Sequence, residues 1–428
     1  MNYDEALAFL ANLTKFGINL GLGRIEELLR RLGNPQLGLK IAHVGGTNGK
    51  GSTTAMLASI LKEAGYRAGA FTSPHLHSYT ERFQINGVEI TRERLAELIG
   101  EIRPHLEAMV AEGYEHPTEF EVGTAIAFLY FCREQVDFLV MEVGLGGDID
   151  STNVAPTVLS VITNVAMDHM DYLGNSIEEI ARAKAGIIRH GVPVVTAAKG
   201  TGLEVIEEAC REKNSQIIIV GHDIILERIS FSPAGQLFNI RGLKGTYENL
   251  ALPLLGRHQL INAATAVAAA EVLMDKGADI SDTDIRGGLA STRWPGRLEI
   301  MRREPLVIID GAHNFEGARS LRRALEEFFP GRDMVLVIGM LGDKEREKVV
   351  GELAPLARAA VVTRPNSPRA GNWQELAVEA GRHVSEVYCY EGVAEAVNKA
   401  ISLAGPDEMV CITGSLYMIA EAREILLK

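Results

Sequence analysis

At 428 residues with 46% hydrophobic content, the chain can bury large cores and exceeds one ordinary domain, while a net charge of −13 argues against general nucleic-acid or anionic-membrane binding. Four scattered cysteines (Cys132, Cys210, Cys389, Cys411) form no Cys-x-x-Cys pair, so neither a disulfide framework nor a zinc site is suggested. The acidic start Met1-Asn2-Tyr3-Asp4-Glu5 lacks a signal region and no apolar run nears the ~18 residues that span a bilayer, so a soluble, cytoplasmic protein is expected.

In chain order, the first apolar run is 40–44, followed by Gly46-Thr47-Asn48-Gly49-Lys50-Gly51-Ser52 and then by helical spacing from Thr53. A strand, a glycine-rich turn and a helix N-terminus place backbone N–H groups and the positive end of a helix dipole against phosphate oxygens. The glycines allow close approach to the anion, and Lys50 adds a mobile cation. The pattern departs from the standard P-loop, because Val44 stands five residues before Gly49 and Gly51 separates Lys50 from Ser52. A glycine turn that merely joins strand to helix is the competing reading.

Residues 68–71 form a further apolar segment, which delivers Thr72-Ser73-Pro74-His75. Helical spacing appears over 121–132, 177–188 and 262–274, and buried strands are expected at 138–143 and 158–163. Such alternation implies a mostly parallel sheet covered by helices on both faces. Residues 235–253 look like hairpin material. The pattern breaks at Ser291-Thr292-Arg293-Trp294-Pro295-Gly296, beyond which a second βα series offers five strands near 306–310, 334–340, 359–363, 386–390 and 409–414. The expectation is an α/β protein of two parts. Residues 1–295 make an N-terminal P-loop ATPase domain with a mostly parallel sheet, and residues 296–428 a smaller C-terminal Rossmann-like α/β domain.

In open α/β sheets, ligands bind outside the carboxyl ends of strands. Glu142 ends one strand and is placed to hold a metal or water beside nucleotide; a surface carboxylate is the alternative. Asn164-Val165-Ala166-Met167-Asp168-His169 follows the next strand and delivers His169 to the same rim, where Ser73 brings a hydroxyl. Magnesium takes such oxygens and usually bridges phosphates. In the C-terminal part, His313 and Ser415 follow strand ends, which points to an incoming substrate there; helix capping is the alternative, above all for Ser415.

The Gly-Thr-Asn-Gly-Lys-Gly-Ser loop resembles that of the Mur ligase superfamily, in its folylpolyglutamate synthase and dihydrofolate synthase branch. The Ser73-Pro74-His75 motif, the Glu142-Val143-Gly144-Leu145-Gly146-Gly147 strand end and the Asp168-His169 pair occur in the family's order, and matches run from about Gly46 to Tyr417. The resemblance implies ATP bound by Thr47, Asn48, Gly49, Lys50, Gly51 and Ser52, and magnesium held by Ser73, Glu142 and His169. It implies a carbamate on Lys184 within Ala181-Arg182-Ala183-Lys184-Ala185-Gly186-Ile187 as a further metal ligand, although the residues alone would make Lys184 a solvated helix lysine. A carbamate turns that cation into an anionic oxygen donor.

The same resemblance places Asn262 at the adenine, Arg297 at the triphosphate and Asp310 at the ribose. It places Thr118, Phe120, Glu121, Asp150 and Ser151 around the pterin, where an aromatic ring can stack and a carboxylate can hydrogen-bond the amino-pyrimidine edge. His313 and Ser415 then face L-glutamate, with Lys50, Lys184 and His313 as the catalytic set. The implied activity is ATP-dependent ligation of L-glutamate to the terminal carboxylate of a folate through an acyl phosphate, with closure about the residues near Pro295. Asp148 and Ser151 stand where bifunctional relatives carry Arg and Ala. A preference for glutamylated reduced folates over dihydropteroate is therefore expected, with Arg364 and Arg369 flanking the acidic tail or simply solvated.

Two other readings are a cell-wall amino-acid ligase and a P-loop nucleotide switch. Only 45 residues precede Gly46, short for the nucleotide-sugar domain of the first, and no Asn-Lys-x-Asp guanine motif supports the second. Small-molecule substrates, no nucleic-acid or membrane partner, and a monomer complete the expectation.

Overall fold

The computed structural model describes residues 1–17, 19 and 21–428. They form two compact units, one of Met1–Glu227, Phe238–Ala251 and Ile261–Thr292, the other of Arg228–Leu237, Leu252–Leu260 and Arg293–Lys428.

The first unit is built on eight strands: β1 (Ile41–Gly45), β2 (Ala68–Phe71), β3 (Phe83–Ile85), β4 (Val88–Glu89), β5 (Phe138–Glu142), β6 (Leu159–Ile162), β7 (Val194–Thr196) and β8 (Ile217–Ile219). Their order is β4-β3-β2-β5-β1-β6-β7-β8. The pairs from β2 through β8 are parallel, and only the β2–β3 and β3–β4 pairs, at one edge, are antiparallel. Strands β1 and β5 are buried at every residue, as parallel strands covered on both faces must be.

Register then fixes the rim. Val44 lies opposite Glu142 and Gly45 opposite Ile162, so the chain leaves β1, β5 and β6 at one level. One core packs the N-terminal helices Tyr3–Leu13 and Gly23–Arg31 with Arg92–Ala111 and Glu119–Arg133, through Leu10, Leu28, Ile99, Phe128 and Phe71. A second core, with Val143, Ile162, Ile187 and Ile206, lies under helices Ile177–Ala185 and Gly200–Glu212.

The first of these two helices stops at Ala185, short of the spacing over 177–188. A Cβ on Gly186 would stand 2.2 Å from Asp148 Cβ, so the backbone presses on the loop there and turns away. Ile187 and Ile188 still enter the core, which is why apolar spacing outran the helix. Strands β9 (Ile225–Ser232), β10 (Gly235–Arg241) and β11 (Thr246–Leu252) make a separate sheet ordered β11-β10-β9, and helix Arg257–Asp275 follows.

The second unit carries a sheet of six strands, not five: β12 (Glu299–Arg303), β13 (Leu306–Asp310), β14 (Met334–Ile338), β15 (Ala357–Thr363), β16 (Glu386–Tyr390) and β17 (Met409–Thr413). The order is β12-β13-β17-β14-β15-β16, with β12 antiparallel to β13 and the rest parallel. Strand β12 escaped the sequence reading because its residues, Glu-Ile-Met-Arg-Arg, offer no apolar run; only an edge position tolerates them. Ile308, Leu336, Val362, Leu325 and Leu353 fill the core. Asp310 pairs in register with Thr413, so the segments leaving β13 and β17 start side by side.

Candidate functional site

The loop after β1 is anchored by the segment after β6. Thr47 donates its N–H to the Asn164 carbonyl (3.0 Å), and Asn48 N–H reaches Asn164 Oδ1 at 2.9 Å. The Thr163 hydroxyl reaches the carbonyls of Gly45 (3.2 Å) and Asn48 (2.7 Å), and Thr47 Oγ1 lies 3.1 Å from the Ala166 carbonyl. Gly46 has φ +132°, and a Cβ there would fall 2.0 Å from Thr163 Oγ1; Gly49 has φ +84° and would meet Asn262 Oδ1 at 2.4 Å. Only glycine permits either position. Helix Lys50–Glu63 begins directly after Gly49, which offers its first-turn N–H groups and dipole to an anion. Gly51 and the buried Ser52 lie in that turn. Sequence reasoning found this loop but missed Thr163 and Asn164, which hold it.

Two lysines meet at the loop. Lys50 Nζ donates to the carbonyls of Gly46 (3.3 Å) and Thr47 (3.1 Å), and Lys184 Nζ donates to the same Gly46 carbonyl at 3.1 Å. The solvated-lysine reading of Lys184 is corrected here, since the residue is 4% exposed. Burial, together with the Lys50 charge, pushes its amine down to about 7.

Glu142 at the end of β5 is buried, not a surface carboxylate, and its Oε2 accepts the Ser73 N–H at 3.2 Å. The loop bearing Ser73 is braced by Arg82, which donates from Nε to His75 Nδ1 (3.0 Å) and from Nη1 to Glu119 (2.9 Å). His169 adopts a left-handed backbone (φ +51°), with its N–H on Asp168 Oδ1 at 2.9 Å. Among the described residues no three His, Cys, Asp or Glu side chains gather as a metal cluster, so any cation here must also draw on hydroxyl, modified-lysine or ligand oxygens.

The pterin candidates surround the start of helix Glu119–Arg133. Thr118 and Glu121 form a reciprocal capping box (2.7 and 3.2 Å), and Arg24 Nε approaches Glu121 at 3.1 Å. The Phe120 ring lies on the Gly144 backbone, where a Cβ would sit 2.3 Å from it. Asp150 is buried, which raises its carboxyl pKa, and its oxygens accept from Leu145 N (2.8 Å), Thr152 N (3.0 Å) and Thr152 Oγ1 (2.5 Å). Ser151 Oγ stands 3.3 Å from Thr124 Oγ1. Behind them, Gly147 closes on the Ala183 carbonyl, 2.6 Å from where its Cβ would be, so the loop after β5 and helix Ile177–Ala185 are in backbone contact.

In the second unit, Asp310 accepts from Leu298 N and Ala312 N, each at 2.8 Å, and Arg297 Nη1 donates to the Gly296 carbonyl at 3.2 Å. His313 Nδ1 lies 2.8 Å from the Gly311 carbonyl. Ser415 precedes helix Leu416–Leu427 but makes no capping hydrogen bond, so the capping alternative fails for it. Its hydroxyl is buried with no hydrogen-bond partner. Arg364 and Arg369 are both surface residues paired to carboxylates, Arg364 with Glu391 (2.7 Å) and Arg369 with Asp343.

The chain matches known proteins over its whole length. The Mur ligase middle domain matches residues 44–270, and the Mur ligase, glutamate ligase domain matches residues 296–416. The dihydrofolate synthase/folylpolyglutamate synthase of Bacillus subtilis is 39% identical over 99% of each chain. The folylpolyglutamate synthase of Lacticaseibacillus casei is 36% identical over 100% of this chain and 99% of that one. The solved structure of Mycobacterium tuberculosis folylpolyglutamate synthase complexed with ADP superposes with a TM-score of 0.93 at 33% identity, covering 100% of this chain and 99% of that chain. The chain belongs to the folylpolyglutamate synthase/dihydrofolate synthase family of the Mur ligases. No helix among the described residues is long and apolar enough to cross a membrane.

Proposed function

We propose that this chain adds L-glutamate to the terminal carboxylate of folates at the expense of ATP, and that it uses glutamylated reduced folates better than dihydropteroate. A free carboxylate is a poor electrophile because its leaving group would be oxide. Transfer of the γ-phosphate to it gives an acyl phosphate and ADP; the amine of glutamate then forms the amide and releases phosphate and a proton. The protein's work is positioning, charge neutralisation and water exclusion.

The observation that carries this reading is the buried Lys184 amine on the Gly46 carbonyl, with its pKa near 7. Carbamylation needs a neutral amine: its lone pair attacks carbon dioxide, a C–N bond forms, and one proton leaves. An ordinary solvated lysine is almost wholly charged at neutral pH; this one is not. Ser73, Glu142, His169 and the Lys184 carbamate would hold magnesium, and the buried Glu142 carboxylate beside Ser73 suits an oxygen-seeking ion. Bound magnesium supplies neutralisation of the phosphate charge.

Thr47 through Ser52 cradle the phosphates, with Asn262 for the adenine, Arg297 for the triphosphate and Asp310 for the ribose. Thr118, Phe120, Glu121, Asp150 and Ser151 bind the pterin. His313 and Ser415 receive glutamate, and the bare Ser415 hydroxyl supports this. A monomeric cytoplasmic enzyme with residues 1–295 and 296–428 as its domains completes the reading. The test is phosphate release by the purified chain with ATP and magnesium. Release that requires both folate and glutamate is expected. Release with neither would point to a nucleotide switch, and release driven by a nucleotide-sugar peptide to a cell-wall ligase.

A further inference from the structure

His43 lies in β1, three residues before the phosphate loop, with its side chain completely buried. Its Nε2 stands 2.7 Å from Thr152 Oγ1, and Thr152 Oγ1 is 2.5 Å from Asp150 Oδ1. The proton order follows from valence. Thr152 has one hydroxyl hydrogen, and the Asp150 carboxylate takes it; the hydroxyl oxygen must then accept from His43, so the imidazole carries its hydrogen on Nε2. His43 Nδ1 is left as a buried acceptor with no hydrogen-bond partner.

That arrangement is a poor way to fill a strand. An aliphatic side chain would pack the same space without stranding a ring nitrogen. Burial, aided by the Arg189 charge, holds the imidazole down to about 3, so it stays neutral at every working pH. Arg189 itself donates to the Asn153 side chain at 3.0 Å, on the same short 3-10 turn, Ser151–Val154, that carries Thr152. The polar chain therefore ends at one place, the carboxylate of Asp150.

We propose that His43 is a positioning residue for the folate pocket: through Thr152 it fixes the orientation of the Asp150 carboxylate, and so sets folate affinity from the strand that leads to the ATP loop. The inference rests on the reading of Asp150 as a pterin contact. Asp150 Oδ2 is held by Leu145 N at 2.8 Å, and Oδ1 by Thr152 N and Oγ1, with the Gly144 N–H as a further backbone donor, so the carboxylate plane is set by backbone N–H groups and one hydroxyl, which His43 polarises and orients. A hydroxyl relieved of that donor can rotate, and Asp150 loses the restraint that this hydroxyl supplied.

The test uses the full chain and steady-state phosphate release, with KM measured separately for tetrahydrofolate monoglutamate, ATP and glutamate. In His43→Leu the folate KM should rise about tenfold, the scale of one lost hydrogen bond, while the ATP and glutamate KM values stay within about twofold. Thermal unfolding should come no earlier than in the parent, because the buried bare nitrogen has gone. His43→Gln, whose amide can donate to Thr152, should recover most of the folate affinity. Thr152→Val breaks the same link from the other side, and carries the test if His43→Leu does not fold.

Equal effects on all three KM values, or a lower melting temperature with an unchanged folate KM, would overturn the relay. Asp150→Asn separates the two readings. If it raises the folate KM while both His43→Leu and Thr152→Val leave it alone, the pocket stands and the relay falls. If Asp150→Asn itself leaves folate affinity untouched, the pocket assignment falls and takes the relay with it.

Discussion

The phosphate-loop rim of the first unit and the end of β17 in the second differ in how particular polar groups are satisfied. In the first, Thr47, Asn48, Thr163, Asn164 and Asp150 are tied into the loops they serve, by bonds of 2.5 to 3.2 Å. In the second, Asp310 is likewise tied to the backbone, yet Ser415, two residues beyond β17, has a buried hydroxyl without a partner. Loop groups tied to their own protein in this way hold their shape before ligand arrives, which suits a phosphate cradle that must be preorganised. A bare buried hydroxyl is costly unless something completes it. The groups tied down in the first rim hold geometry, whereas Ser415 in the second leaves a buried hydroxyl unmatched by its own protein.

The largest loss is expected at the loop. Lys50→Ala should cost about a thousandfold in turnover and leave the fold intact, since a preorganised cradle loses its mobile cation. Near-normal turnover at saturating ATP would remove Lys50 from the mechanism.

Lys184→Ala should lose nearly as much, and short-chain carboxylates should restore part of it by replacing the carbamate oxygens. In the parent, activity should climb as pH rises through about 7, because only the neutral amine captures carbon dioxide. Stability carries the same sign. The folded pKa of about 7 lies below the ordinary 10.5, so between them the unfolded chain binds more protons, and the uncarbamylated protein is stabilised as pH rises across that window. Melting curves of Lys184→Met should lose this slope. A free amine seen by mass spectrometry in the fully active, magnesium-loaded enzyme would dispose of the carbamate.

Smaller effects are expected in the second unit. Ser415→Ala is expected to raise the glutamate KM about tenfold without lowering the melting temperature, because no protein hydrogen bond is lost. A drop in stability with unchanged KM would make Ser415 structural after all. Dihydropteroate should have a lower kcat/KM than tetrahydrofolate monoglutamate, and the reverse order would overturn the stated preference. Least of all, Arg364→Ala and Arg369→Ala should weaken only long polyglutamate substrates, by a few-fold, because each arginine is already engaged with a surface carboxylate.

The loop, the strands leading to it and the helices behind it were legible because each follows from local rules: apolar runs, a glycine turn, helical spacing. Strand β12 was not, since its charged residues show no alternation and only its edge position makes it a strand. The burial of Lys184 was equally hidden. A lysine at helical spacing reads as solvated until Gly147 and Gly186 draw its helix against the loop after β5. His43 left a faint trace, a lone imidazole within Ile-Ala-His-Val-Gly. Nothing local says that its partner lies 109 residues away. Thr163 and Asn164 were passed over for the same reason, as their function is to hold another segment's backbone.

The contact of Gly147 and Gly186 with their neighbours bears on how this protein tolerates change. Neither is among the residues proposed to bind a ligand, yet a methyl group at Gly147 would lie 2.6 Å from the Ala183 carbonyl, and one at Gly186 would lie 2.2 Å from Asp148 Cβ. In a saturation library both sites should therefore score as intolerant as Lys50, and a map of fitness alone would paint them as active-site residues. What separates the two kinds of essential residue is the survivor's defect: expression and heat resistance at the glycines, turnover at the lysine. A selection run at lower temperature should relax the first pair and leave Lys50 as strict as before.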